Sequence, residues 1–97
     1  MIEYGRDPAK EADNVKRHGV SFDDAIVALR DPFRVTWFDE GHSIEEPRFI
    51  TIGRDVRGRF LAVVTSEKWP KPRIISARRA TKRERDAYES HRPLGPA

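Results

Sequence analysis

Arg73-Ile74-Ile75-Ser76-Ala77-Arg78-Arg79-Ala80-Thr81-Lys82-Arg83-Glu84-Arg85 is the stretch that decides the fold. Its apolar pair Ile74-Ile75 fits a short strand packed on both faces. Arg78 and Arg79 follow at the strand's end, where long side chains reach a groove. Thr81 and Glu84 then stand at capping-box spacing, each side chain placed to satisfy a free backbone N–H at a helix start. A strand thus feeds a helix through a cluster of guanidinium groups. Arginine donates hydrogen bonds in pairs and a helix N-terminus presents free N–H groups, so the unit suits phosphate. Nucleic acid is the first partner it suggests.

Working back from this unit, Trp69-Pro70-Lys71-Pro72 forbids regular pairing and forms a stiff loop. Arg59 to Ser66 is the most apolar segment, through Phe60-Leu61-Ala62-Val63-Val64, and is expected at the centre of a sheet. Arg48-Phe49-Ile50-Thr51-Ile52-Gly53 alternates, and Phe33-Arg34-Val35-Thr36-Trp37-Phe38 is rich in β-branched and aromatic residues. Asp39-Glu40-Gly41 and Asp55-Val56-Arg57-Gly58 are turn signals. Nearer the start, Ser21 caps a helix carrying Phe22, Ala25, Ile26 and Leu29, which Asp31-Pro32 ends. Asp7 caps an earlier helix with Pro8 at its first position and Gly19 at its stop. Its apolar face is thin: Ala9, Ala12 and Val15. Ile2 to Arg6 reads as a short first strand. Two N-terminal helices, an antiparallel meander of about four strands and a C-terminal helix from Thr81 to about His91 make an α+β domain.

The chain has 97 residues, enough for one modest core. A single domain over 1–92 and a flexible tail over 93–97 are expected. Charged residues are 36% and hydrophobic ones 37%, but the apolar residues come in runs, so the chain is folded rather than disordered. Charge is uneven. Residues 67–97 hold nine Lys/Arg against four Asp/Glu, while residues 1–66 hold ten against twelve. The basic end coincides with the strand–arginine–helix unit, although a solvated helix face has the same composition. With no cysteine, disulfide frameworks and thiolate metal sites are excluded, which fits a cytoplasmic protein. Glu3, Arg6 and Asp7 interrupt any secretory h-region after Met1, and no apolar run approaches the ~20 residues of a membrane span.

The order of these elements, with its punctuation, resembles the BrnT family of toxins from bacterial type II toxin–antitoxin pairs. The resemblance rests on Asp7-Pro8-Ala9-Lys10 and on Asn14-Val15-Lys16-Arg17-His18-Gly19-Val20-Ser21-Phe22-Asp23-Asp24-Ala25. It continues through Asp31-Pro32, Glu46-Pro47-Arg48, Ile52-Gly53 and Val63-Val64, and closes on Arg73 to Thr81 with Glu84-Arg85. It implies a compact RelE-like ribonuclease fold that cleaves RNA and arrests growth. It also implies a cognate antitoxin that covers the toxin and carries a DNA-binding module, so that operator DNA is met only through that partner. No cofactor is implied. Three departures stand out: Arg17 in place of a lysine before the histidine, Thr65 in place of an aromatic residue, and a longer, stiffer Trp69–Pro72 loop.

RNA cleavage without a metal ion requires removal of the 2′-OH proton, stabilisation of the phosphorane and protonation of the 5′-oxygen. Arg78 is the first candidate for the phosphorane, because guanidinium donates two parallel hydrogen bonds and stays charged. The structural alternative pairs it with Glu84 or Glu46. Arg48 is placed to hold the scissile phosphate, or to form a surface ion pair. His18 ends the first helix, where positive charge is favoured, and suits either an acid–base group or a helix cap. Glu46 is the other candidate base. Lys10, Arg73, Arg79 and Lys82 are candidate phosphate contacts. Tyr88 suits base stacking or packing on the sheet. Trp37 reads as core, and Trp69 as a contact for RNA or antitoxin. His42 and His91 read as solvent-exposed, and three scattered histidines make no metal site. Two other classes stay open: a nucleic-acid-binding or scaffold module without chemistry, and an interaction protein whose basic face meets only an acidic partner.

Overall fold

Local capping sets the helices where the sequence places them. Asp7 accepts hydrogen bonds from the Ala9 and Lys10 amides and starts helix α1, Pro8–His18. Gly19 ends it in the left-handed region at φ 67°, its N–H donating to the Val15 carbonyl. Ser21 accepts from the Asp24 amide and starts α2, Phe22–Leu29. Asp31 then accepts a hydrogen bond from the Phe33 amide at 2.9 Å, which holds Phe33 in a turn. Strand β1 therefore begins at Val35, two residues later than the aromatic run suggests, and Phe33 is 60% exposed. β1 (Val35–Phe38), β2 (Arg48–Arg54), β3 (Phe60–Ser66) and β4 (Arg73–Arg79) precede α3, Lys82–Ser90. Thr81 and Glu84 form the expected capping box at its start. The structure, a computed structural model, describes residues 3–42, 46–67, 71–92 and 94, at position 42 the backbone only. The expectations for Ile2, Trp69, Pro70, the His42 side chain and tail residues 93 and 95–97 lie outside these residues.

The four strands form one antiparallel sheet in the order β1-β2-β3-β4, so β2 and the apolar β3 are interior. Period-two alternation divides their side chains between two cores. Leu61, Val63, Ile74 and Ala77 pack with Val20, Phe22, Ala25, Ala28 and Leu29 of the α2 region. Val35, Ile52 and Ala62 pack on the opposite face with Ala87 of α3, and Trp37, Ile50, Tyr88 and Leu94 gather around them. Leu94 thus contacts this second core from within the segment expected to be tail. The approach of α2 to β2 is close enough that a Cβ on Gly53 would stand 2.1 Å from the Ala28 carbonyl oxygen.

Three local expectations change. The apolar face expected on α1 is not its packing face: Ala9, Ala12 and Val15 are exposed, and the buried residue of α1 is Asn14. The helix is anchored by hydrogen bonds instead of by apolar burial, for reasons given below. Ile2–Arg6 does not form a strand among its described residues. Gly5 alone bridges to β4, its N–H donating to the Pro72 carbonyl and its carbonyl accepting from the Ile74 amide, before Asp7 turns the chain into α1. Ile75 is not packed on a second face of a regular strand. Thr65 pairs with Ile74 while Val64 pairs with Ser76, so Ile75 is the extra residue of a β-bulge.

Candidate functional site

Asn14 is the pivot of the site's first half. Its Nδ2 donates to the carbonyls of Val20 and Ala77, both at 2.8 Å, and its Oδ1 accepts from the Ala77 amide at 3.0 Å. β4 is an edge strand, and this amide occupies the place of a further strand at Ala77. Residues four before and four after share Asn14's side of the helix. These are Lys10 and His18, and with Asp13 and Arg17 they face Ile75 and Ser76 across a cavity of about 250 Å3. The bulge at Ile75 forms the cavity's far wall. Arg17 pairs with Asp13 at 3.2 Å. The cavity therefore holds three basic side chains against one carboxylate, with His18 exposed at the helix end.

Arg78 lies two residues beyond Ser76, on the same side of the strand and about 6.7 Å further along. It projects to the α3 face, opposite Ala62. Nη1 donates to Glu84 Oε1 at 2.7 Å and Nη2 to Oε2 at 2.9 Å, and Nη1 also donates to the Arg79 carbonyl at 3.3 Å. Guanidinium carries five N–H donors. The two that remain, Nε–H and the second hydrogen of Nη2, lie parallel on one edge of the planar group. No acceptor among the described residues meets either. Burial raises the Glu84 carboxyl, but hydrogen bonds from Arg78 and the Thr81 amide outweigh it and hold the group below the usual carboxylate range. The bond to Glu84 raises Arg78 further above its already high value.

The same sheet face continues away from α3 in two rows set by strand register. Ile50, Val64 and Ser76 form one, and Arg48, Ser66 and Arg73 the other. Arg73 Nη2 donates to both oxygens of Glu46, at 3.0 and 3.2 Å. Arg48 is half-buried at the head of β2. Two strands and two rows separate its Cα from that of Arg78, about 16 Å.

The candidates thus fall into groups. Lys10 and His18 meet in one cavity, Glu46 meets Arg73, and Arg48 shares a row with Arg73. Arg79 is exposed on the side of the sheet opposite Arg78. Lys82 pairs with Asp86 at 3.1 Å on the exposed side of α3. Tyr88 stands apart: its hydroxyl donates to Asp31 Oδ2 at 2.6 Å and its ring meets the Phe60 ring edge-on at 5.3 Å. It borders a second cavity, of about 590 Å3, with Val27, Phe33, Arg54 and Val56. His91 is exposed and its ring lies 5.9 Å from that of Phe33. Thr65 is buried on the side of Leu61 and Val63, away from the arginine rows. Among the described residues no three His, Cys, Asp or Glu side chains converge as metal ligands. Among the described residues no helix is long and apolar enough to cross a membrane. Sequence reasoning gave no role to Asn14, Arg17 or Ser76. The only available signal was a polar residue four from both Lys10 and His18.

Comparison with known families identifies a match over most of the chain. The model of a family described as "Ribonuclease toxin, BrnT, of type II toxin-antitoxin system" covers residues 7–84. That span holds Lys10, Asn14, His18, Arg48, Arg73, Arg78 and Glu84, and ends before Tyr88. No curated protein matches the chain.

Proposed function

This chain belongs to the BrnT family of ribonuclease toxins from type II toxin–antitoxin systems, and we propose that it cuts RNA by attack of the ribose 2′-OH, without a metal ion. The 2′-oxygen loses its proton to a base and bonds to phosphorus. The P–O5′ bond breaks, and the 5′-oxygen gains a proton, leaving a 2′,3′-cyclic phosphate. Arg78 holds the phosphorane. The observation that carries this reading is its free donor edge: Glu84 and the Arg79 carbonyl take three N–H groups and leave two parallel ones for two phosphate oxygens.

His18 serves as the acid–base group, since it stands exposed with Lys10 in the cavity that Ser76 shares with Arg78's strand. Glu46 is the second candidate base, held by Arg73. Lys10, Arg48, Arg73, Arg79 and Lys82 supply phosphate contacts, and Tyr88 borders a separate cavity where a base can stack. A cognate antitoxin with a DNA-binding module neutralises the toxin by covering the basic surface. The pair acts in the cytoplasm and meets operator DNA through the antitoxin. Residues 1–92 are the working domain.

One observation favours a second reading, a binding module without chemistry. The Arg78–Glu84 pair is formally neutral, as a purely structural clamp would be. Induced expression of wild type and Arg78→Ala in a bacterial host lacking the antitoxin separates the two. Growth arrest with new, discrete RNA 5′ ends in wild type alone supports the ribonuclease. Normal growth and intact RNA, with soluble protein confirmed, leaves the binding module.

A further inference from the structure

Glu84 has two tasks that share one carboxylate oxygen and differ in their use of the other. As the third helical residue of α3 it accepts the Thr81 amide through Oε1 at 2.9 Å, while the Thr81 hydroxyl accepts the Glu84 amide at 3.2 Å. That is a complete helix cap, and it uses one carboxylate oxygen. The clamp on Arg78 uses both: Oε1 takes Nη1 and Oε2 takes Nη2. Glu84 is 7% exposed, and its backbone is fixed by the helix that its own side chain starts. A two-point hydrogen bond to a planar group fixes both its position and its plane. The helix therefore sets the direction in which the remaining Nε–H and Nη2–H of Arg78 point.

We infer that Glu84 is a positioning residue for RNA cleavage: its second oxygen, which the helix cap does not use, locks the Arg78 guanidinium so that one donor edge stays presented to the scissile phosphate. The inference rests on the reading of Arg78 given above. It ties activity to α3, because moving this helix start withdraws the clamp. It also separates two properties of the arginine. Glu84 cancels much of its charge, so what it offers is oriented hydrogen bonds. Misplacing such a group by about 1 Å lowers turnover by about 100-fold.

Glu84→Gln tests this directly. Glutamine keeps an acceptor for the Thr81 amide, and the capping box tolerates it. Its NH2 group then opposes Arg78 Nη2 with a donor, and the second half of the clamp is lost. Thr81→Ala is the structural control: it removes the cap hydroxyl and leaves both carboxylate oxygens on Arg78. Steady-state cleavage of a short single-stranded RNA is measured for wild type, Arg78→Ala, Glu84→Gln and Thr81→Ala. For Glu84→Gln the expected result is a fall in kcat of about 10- to 100-fold with KM within about threefold of wild type. Thr81→Ala is expected to keep kcat within about twofold, since it alters nothing that touches the arginine. The Nη–H resonances of Arg78 read the same state without turnover, held distinct and protected by the clamp in wild type and Thr81→Ala and averaged by rotation in Glu84→Gln.

The failures are distinguishable. Wild-type kcat in Glu84→Gln, or equal losses in Glu84→Gln and Thr81→Ala, overturns the positioning role while Arg78→Ala still abolishes cleavage. Unchanged cleavage by Arg78→Ala, or none by wild type, overturns the reading of Arg78 and the inference with it.

Discussion

Asn14 and Ala77 are joined amide to amide: the Ala77 N–H donates to Asn14 Oδ1 at 3.0 Å, and Asn14 Nδ2 donates back to the Ala77 carbonyl at 2.8 Å. One side chain thus ties α1 to the edge of the sheet and sets Lys10 and His18 opposite the β4 bulge. Asn14→Leu leaves Ala77 with two buried backbone groups and Val20 with one. Each such group costs about 1–3 kcal/mol. A loss of at least about 3 kcal/mol is expected in urea unfolding. A loss below about 1 kcal/mol contradicts the anchoring role.

The contact between α2 and β2 makes Gly53→Ala costly. The new Cβ would meet the Ala28 carbonyl oxygen at 2.1 Å, and both partners are backbone, so neither yields by a rotamer change. A destabilisation of about 1–3 kcal/mol is expected, at the level of overpacking a core. Thermal unfolding of this variant beside wild type measures it, and an unchanged midpoint contradicts the packing described.

Tyr88 and Asp31 give stability a defined pH dependence. Burial and the hydrogen bond to Asp31 push the Tyr88 hydroxyl from 10.0 up to about 12. A raised value means the fold holds the protonated form. The contribution is full below pH 10 and is lost as pH rises toward about 12. Asp31 has the opposite sign. Burial raises it, but hydrogen bonds from Tyr88 and the Phe33 and Arg54 amides hold it below 3.8, so its contribution is full above that value and fades as acid protonates it. The stability gap between wild type and Tyr88→Phe is therefore expected to be level near neutrality and to close at both extremes. A gap independent of pH contradicts the linkage.

RNA affinity should depend on charge where cleavage depends on direction. Lys10→Ala removes a cation from the α1 cavity, and the slope of log K against log salt should fall by about 0.7 for a single-stranded RNA. Replacing Arg78 and Glu84 together by glutamine leaves net charge unchanged. That double variant is expected to bind with wild-type affinity and slope yet cut at the Arg78→Ala rate. Fluorescence anisotropy across a salt series checks both, and a weakened, shallower double variant contradicts the separation.

Capping chemistry made much of this fold legible. Asp7-Pro8, Gly19, Ser21 and the Thr81–Glu84 box are local devices whose partners lie within four residues, and each formed as read. The interior place of β3 followed from its apolar run. Contacts set by distant residues were not legible. Asn14 looks like a surface residue until Ala77, 63 positions away, presents an unpaired edge. The bulge at Ile75 appears only in the pairing register with β3. For the site, the residue types at Lys10, His18, Arg73 and Arg78 were visible, but their grouping was not. Nothing local reveals that Lys10 and His18 share a cavity, or that Tyr88 is drawn to Asp31.

The most direct measurement is cleavage of a short RNA by purified wild type and Arg78→Ala in excess chelator, with a matched substrate carrying a 2′-deoxy nucleotide at the cut position. The result expected is wild-type cutting that leaves a 2′,3′-cyclic phosphate, no cut at the deoxy position, and a loss of at least about 100-fold in Arg78→Ala. Cutting that needs a divalent ion, proceeds at the deoxy position, or survives Arg78→Ala would contradict 2′-OH attack stabilised by Arg78.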